Sequence, residues 1–236
     1  MSKYIGNKNF SNVFPTLCNM IPKAERYFSL FLGGGGVEFS KEFINCNWIA
    51  SDKNLQVQKN SSSMALRFYS DYKELLEKEK ITQNDFIFAD PPYLFDCRKS
   101  KSKLYKDEFN YEDHVEFLNY MISLQCRILI THPSHLLYEN KLVEWERKEL
   151  KYMTRGGWYQ DNIYTNYFPD HVELFCYNYL GKDRTDRQRI KRKRKNVLKK
   201  INSLSFHEKK AILSELSKLN STTIPGNEEQ NNYTGV

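Results

Sequence analysis

Short apolar runs, each ending at a glycine-rich or acidic corner and separated by stretches of helical character, constrain this 236-residue chain most strongly. Tyr27 to Leu32 (YFSLFL) stops at Gly33-Gly34-Gly35-Gly36, Trp48 to Ser51 at Asp52, and Asp85 to Ala89 (DFIFA) at Asp90-Pro91-Pro92-Tyr93. Arg127 to Thr131 (RILIT) is a further run, and Val172 to Tyr179 reads as a late strand. Between them, Val37 to Phe43 reads as a helix start, Leu55 to Phe68 as a helix followed by a turn and Asp71, and Asp113 to Leu124 as another helix. Strands that alternate with helices and are apolar on both faces form a mostly parallel sheet covered by helices on both sides, the α/β, Rossmann-like class. Ligands of such sheets gather at the carboxyl ends of the strands. The glycines, Asp52 and Asp90 all fall at such ends, so one rim is expected to carry the chemistry.

The formal charge of +7 is unevenly spread. Residues 182–200 carry eleven Lys or Arg against Asp183 and Asp186, a local charge of +9, so the rest of the chain sums to −2. Such a run reads either as an arm that neutralises phosphates, with Lys191, Arg192, Lys193, Arg194 and Lys195 at its centre, or as a solvated linker. Few apolar residues interleave with the charges, which argues against a membrane surface. Beyond it, Ser205 to Glu208 fits a capping box, and Ile212, Leu213, Leu216 and Leu219 form a stripe at helical spacing, read as a short docking helix. The expected division is a domain over 1–180, a basic arm with a short helix over 181–220, and a disordered polar tail over 221–236. The five cysteines form no close pair, no run is long and apolar enough for a membrane span, and the first residues show no signal-peptide pattern. An intracellular, reducing setting is expected.

Asp90-Pro91-Pro92-Tyr93 is the sharpest motif. The amino nitrogen of adenine is a poor nucleophile because its lone pair is delocalised into the ring. A carboxylate (Asp90) and a main-chain carbonyl (Pro91) can accept its two N–H bonds and stabilise the positive charge that develops on attack. Pro91 and Pro92 stiffen the turn, and Tyr93 offers a face to a base swung out of the duplex.

These elements resemble the Dam-type (D12 class) DNA adenine-N6 methyltransferases over residues 3–179. The resemblance is carried by Tyr4-Ile5-Gly6-Asn7-Lys8, Phe31-Leu32-Gly33-Gly34-Gly35, Asp52, the DPPY motif, Phe109 with Glu112-Asp113-His114, Glu173-Leu174 and Asn178-Tyr179, in that order. It implies a class I methyltransferase fold and transfer of a methyl group from S-adenosylmethionine to N6 of adenine in DNA. It also implies that Tyr4, Lys8, Phe31, Gly33, Gly34, Gly35, Asp52 and Asp90 line the cofactor pocket. Asp71 would reach the cofactor's adenine edge or cap the helix beginning near Tyr72. The setting implied is a cytoplasmic, prokaryotic or phage-encoded enzyme of restriction-modification, regulation or phage defence. The same acceptors would serve an adenine in RNA, and a non-catalytic DNA-binding subunit could retain the fold.

Only 37 residues separate Asp52 from Asp90, too few for the target-recognition insert of the family. Three stretches stand as replacements. The Lys-rich segment Cys97 to Asn110 offers Arg98, Lys99, Lys101, Lys103 and Lys106 for phosphates and Tyr105 for bases. Arg155-Gly156-Gly157-Trp158-Tyr159 reads as a turn bearing a charge and two aromatics, and the basic arm is the third. A partner protein that supplies recognition is a further expectation. His132-Pro133-Ser134-His135 reads as a loop after the Arg127–Thr131 strand, with no acid or cysteine placed to complete a metal site.

Overall fold

The computed structural model describes residues 8, 12–61, 64–98, 108–154 and 157–222. The chain divides into two units, residues 1–182 and 183–236.

The first unit is built on a seven-stranded sheet: β1 (Tyr27–Ser29), β2 (Ile49–Ser51), β3 (Arg67–Tyr69), β4 (Phe86–Ala89), β5 (Arg127–Pro133), β6 (Glu146–Thr154) and β7 (Gly157–Thr165), in the order β3-β2-β1-β4-β5-β7-β6. The first five strands are parallel, and β7 runs antiparallel to both β5 and β6. This is the Rossmann-like class I arrangement expected. Successive side chains in a strand point to opposite faces, and the two cores follow that alternation. Phe28, Ile87, Ala89, Ile128 and Ile130 pack with residues of α3 (Tyr72–Glu79), α4 (Tyr111–Ser123) and α5 (Leu136–Lys141). Tyr27, Trp48, Phe86, Phe88 and Leu129 pack on the other face with α1 (Val13–Cys18), while Ala50 packs with Val57 of α2 (Leu55–Ser61).

The structure corrects several expected elements. The helix expected over Leu55 to Phe68 ends at Ser61, and Arg67–Tyr69 forms edge strand β3. An edge strand has one neighbour and half-exposed side chains, so its apolar signal is weak. Val37 to Phe43 forms turns, with a single 3₁₀ turn at Ile44–Cys46. Val172 to Tyr179 makes only an isolated bridge, Leu174 with Pro22; Cys176 is buried and Phe175 and Tyr179 pack against the same core, so packing rather than sheet pairing accounts for its apolar residues. Of the expected turn at 155–159, Gly157, Trp158 and Tyr159 open β7, and Arg155 and Gly156 lie outside the described residues.

In the second unit, α6 (Arg184–Asn202) is capped by Asp183, which accepts the Asp186 N–H at 2.8 Å, and none of its residues is buried. A capping box of Ser205 and Glu208 opens α7 (Phe206–Thr222). Ile212, Leu213, Leu216 and Leu219, the stripe expected to dock, are exposed. Residues 223–236, most of the expected tail, lie outside the described residues. No described helix is long and apolar enough to cross a membrane.

Candidate active site

The strand order reverses direction at β1. The chain steps from β1 outward to β2 and β3, then returns to place β4 on the other side of β1. The crevice between the carboxyl ends of β1 and β4 is therefore the topological switch point, where open α/β sheets bind ligands. The glycine turn leaves β1 there, and Asp90-Pro91-Pro92-Tyr93 leaves β4 beside it.

Asp90 accepts a hydrogen bond from Thr131 Oγ1 at 2.6 Å, and its Oδ1 lies 3.3 Å from Lys8 Nζ. Burial pushes the Asp90 carboxyl up, while the Lys8 ammonium and the Thr131 hydroxyl oppose the shift. Two side chains hold the turn that follows. His132 lies on β5 rather than in a loop and is fully buried; its Nε2 accepts the Leu94 N–H at 3.2 Å while its Nδ1 faces the Pro133 carbonyl at 2.8 Å. That pair of partners requires the proton on Nδ1, a neutral ring, and burial holds the His132 pKa well below its usual range. The imidazole stacks on Tyr138 at 3.8 Å. Arg98 donates through Nε, at 2.7 Å, and through Nη2 to the Tyr93 carbonyl, and through Nη1 to Glu108 at 2.7 Å. Arg98 was expected to grip phosphate. It is instead a buried clamp on the DPPY turn, because its guanidinium is spent on a carbonyl and a carboxylate of the chain itself.

Beyond the motif, a buried polar cluster converges from three parts of the sequence. Lys8 Nζ is 3.0 Å from Asp161 Oδ2 and donates to the Tyr93 hydroxyl. The same Asp161 oxygen accepts the Tyr93 hydroxyl at 2.7 Å and the Tyr152 hydroxyl at 2.8 Å. Burial disfavours the Lys8 ammonium, but the Asp90 and Asp161 carboxylates outweigh it and raise the Lys8 pKa. Lys8 also lies over the Tyr93 ring, 4.9 Å from its centroid, and His132 meets that ring edge-on. Sequence reasoning missed Asp161 and Tyr152. Because β7 is antiparallel to β5, Asp161 at its midpoint stands opposite Pro133, at the same rim as Asp90. Leu150 and Tyr152 buried at alternate positions, with a β-rich run after Gly156-Gly157, are the signal that could have revealed this hairpin.

Gly33 and Gly35 have φ of 53° and 58°, a left-handed backbone that turns the chain off β1, and a Cβ on Gly35 would meet the Phe39 ring at 2.4 Å. The Gly33 N–H donates to Asp52 Oδ2 at 2.8 Å, and Asp52 Oδ1 accepts the Asn54 N–H, so the acid after β2 and the turn after β1 are joined. The Phe31 side chain packs among Tyr72, Phe109 and Phe117. Asp71, which stood open between two roles, caps α3 by accepting the Lys73 N–H at 2.8 Å and pairs with Lys53 at 2.8 Å. Glu38, also missed, is buried behind the turn. Burial, eased by the Ser29 hydroxyl 2.7 Å away, pushes its carboxyl up to about 7.

Of the expected nucleic-acid contacts, Lys191 to Lys195 are exposed along α6 and Trp158 is 65 % exposed at the start of β7, whereas Tyr159 stacks on Tyr152. Tyr4, Lys99, Lys101, Lys103, Tyr105, Lys106 and Arg155 lie outside the described residues. Among the described residues, no group of three or more His, Cys, Asp or Glu is placed to hold a metal ion.

No protein-family model matches the chain, and no curated protein matches it. Similar solved structures include a methyltransferase from Pyrococcus furiosus (13 % identity, 64 % of this chain and 80 % of that one, TM-score 0.36). A SAM-dependent methyltransferase from Agrobacterium tumefaciens is also similar (12 %, 64 % and 58 %, 0.38). So is the N-terminal domain of human METTL16 in complex with SAH (10 %, 61 % and 62 %, 0.37). Likeness at this level carries no argument about chemistry, and the fold assignment stands on the strand order itself.

Proposed function

We propose that the chain is an S-adenosylmethionine-dependent methyltransferase that acts on N6 of adenine in DNA. The observation that carries this is the placement of Asp90-Pro91-Pro92-Tyr93 at the switch point, directly beside a positive-φ glycine turn joined to an acid after the second strand.

The residues fit the cofactor. Gly33 to Gly35 turn sharply with no side chain to obstruct a close ligand, and Asp52 at the end of β2 has the chemistry to accept the hydroxyls of a ribose. S-adenosylmethionine supplies, when bound, a methyl group on a positively charged sulfur. The chain's own part is to present the nucleobase. Asp90 and the Pro91 carbonyl accept from the amino group, and the DPPY turn holds them through Arg98 and His132. Low-dielectric surroundings strengthen the effect of a carboxylate on a positive charge growing at the amine. The exposed basic face of α6 and Trp158 supply contacts to the polymer, and the short recognition surface leaves room for a partner protein.

The test is transfer of a labelled methyl group to plasmid DNA and to transcribed RNA, with digestion to identify the modified base. N6-methyladenine in DNA is the expected product. Label on another base, or on neither polymer, would overturn the assignment, and label on RNA alone would overturn the choice of polymer.

A further inference from the structure

Asp161 belongs to none of the motifs discussed above, yet it is the acceptor on which the rim cluster closes. It is 1 % exposed, and three donors converge on its Oδ2: Tyr93, Tyr152 and Lys8. Lys8 stands between two carboxylates, 3.0 Å from Asp161 and 3.3 Å from Asp90. Among the described residues, one ammonium with two carboxylates leaves one negative charge in the cluster. A Lys8–Asp90 pair alone would leave none. An amine that gains positive charge as it is methylated needs that net charge beside it.

We propose that Asp161 is a positioning residue for the reaction. It takes up the charge of Lys8 and fixes the Tyr93 ring through its hydroxyl, so that Asp90 keeps its own negative charge for the nucleobase amine. This rests on the methyl-transfer function proposed above. A purely structural Asp161 would serve only to satisfy buried donors, and both its loss and any repair by removing Lys8 would show in folding stability rather than in the transfer rate of folded protein. A charge-keeping Asp161 behaves differently. Asp161→Asn takes the cluster from −1 to zero, and adding Lys8→Met to that variant returns it to −1.

The experiment measures single-turnover methyl transfer to plasmid DNA at saturating S-adenosylmethionine for wild type, Asp161→Asn and the Lys8→Met/Asp161→Asn double variant. Cofactor-product affinity is measured by calorimetry with S-adenosylhomocysteine, and folding by circular dichroism. Asp161→Asn is expected to slow transfer about 100-fold, on the scale of losing one preorganised electrostatic partner, with the affinity for S-adenosylhomocysteine unchanged. The double variant is expected to recover at least about tenfold of that loss, about 1.4 kcal/mol of barrier. Wild-type turnover by Asp161→Asn, or a double variant no faster than the folded single one, overturns the proposal while leaving the methyl-transfer function intact. A wild-type protein that methylates neither DNA nor RNA overturns that function, and the role of Asp161 in catalysis with it.

Discussion

The rim cluster and helix α6 use the same kind of residue to opposite ends. Ten basic residues lie on α6 from Arg184 to Lys200, with none of the helix buried. At the rim Lys8 is 5 % exposed and touches two carboxylates and a tyrosine hydroxyl. Exposed charges in water act weakly one by one and matter through their number, by releasing counterions from a polyanion. A buried charge acts through its few contacts, because little solvent screens it. Under the proposed function, the dense exposed charge of α6 would hold the polymer and the sparse buried charge of the rim would serve the bond made.

The largest expected effect separates the two regions directly. Asp90→Ala should slow methyl transfer by about 1,000-fold or more, roughly 4 kcal/mol of barrier, with the secondary structure unchanged by circular dichroism. Single-turnover rates check it, and turnover within a few-fold of wild type would remove Asp90 from the chemistry.

Glu38 tests the reach of burial next to the rim. Its carboxyl is raised from 4.5 to about 7, so the folded state favours the neutral form. The corresponding stability is fully present below pH 4.5 and is lost as pH rises through 7, a loss of about 3 kcal/mol. Glu38→Gln should remove that loss, so that denaturant midpoints no longer fall between pH 5 and pH 8 on account of this group. His114, held down to about 4 mainly by burial, works in the other direction: its contribution is present above pH 6.5 and is lost as pH falls toward 4.

Replacing Lys191 to Lys195 with Gln should weaken DNA binding by about tenfold to a hundredfold near physiological salt and flatten the dependence of affinity on salt. Transfer rates at saturating DNA should stay within about twofold, as the proposed role of α6 in encounter rather than in the bond made requires. A fall in the saturated rate equal to the fall in affinity would erase the contrast between the two regions. The smallest effect is expected from Asp71→Ala, which removes the α3 cap and should cost about 1 kcal/mol of stability in thermal melts. Calorimetry with S-adenosylhomocysteine should show its affinity unchanged, since the Asp71 carboxylate caps the helix and pairs with Lys53.

Much of the rim was legible because its residues sit directly after the strands that place them. Gly33, Asp52 and Asp90 follow apolar runs within one or a few residues, so locating the strand ends located them. Arg98 was misread for the converse reason. Among lysines it looks like a surface cation, and only the return of Glu108 and the Tyr93 carbonyl to its guanidinium makes it a clamp. The β6–β7 hairpin hid for a third reason. Its outer strand is mostly exposed and charge-rich, and only Leu150 and Tyr152 betray the two-residue period.

The sequence by itself determined the class of sheet, the end of that sheet where chemistry gathers, and the DPPY turn, since each follows from periodicity and corner residues within a few positions. Tertiary structure alone decided that Lys8 meets a carboxylate 153 positions away and that Tyr93 shares it from a distance of 68. Those meetings depend on the order and direction of the strands. Local patterns specify which face of a strand is buried, but carry no record of which distant strand will lie beside it.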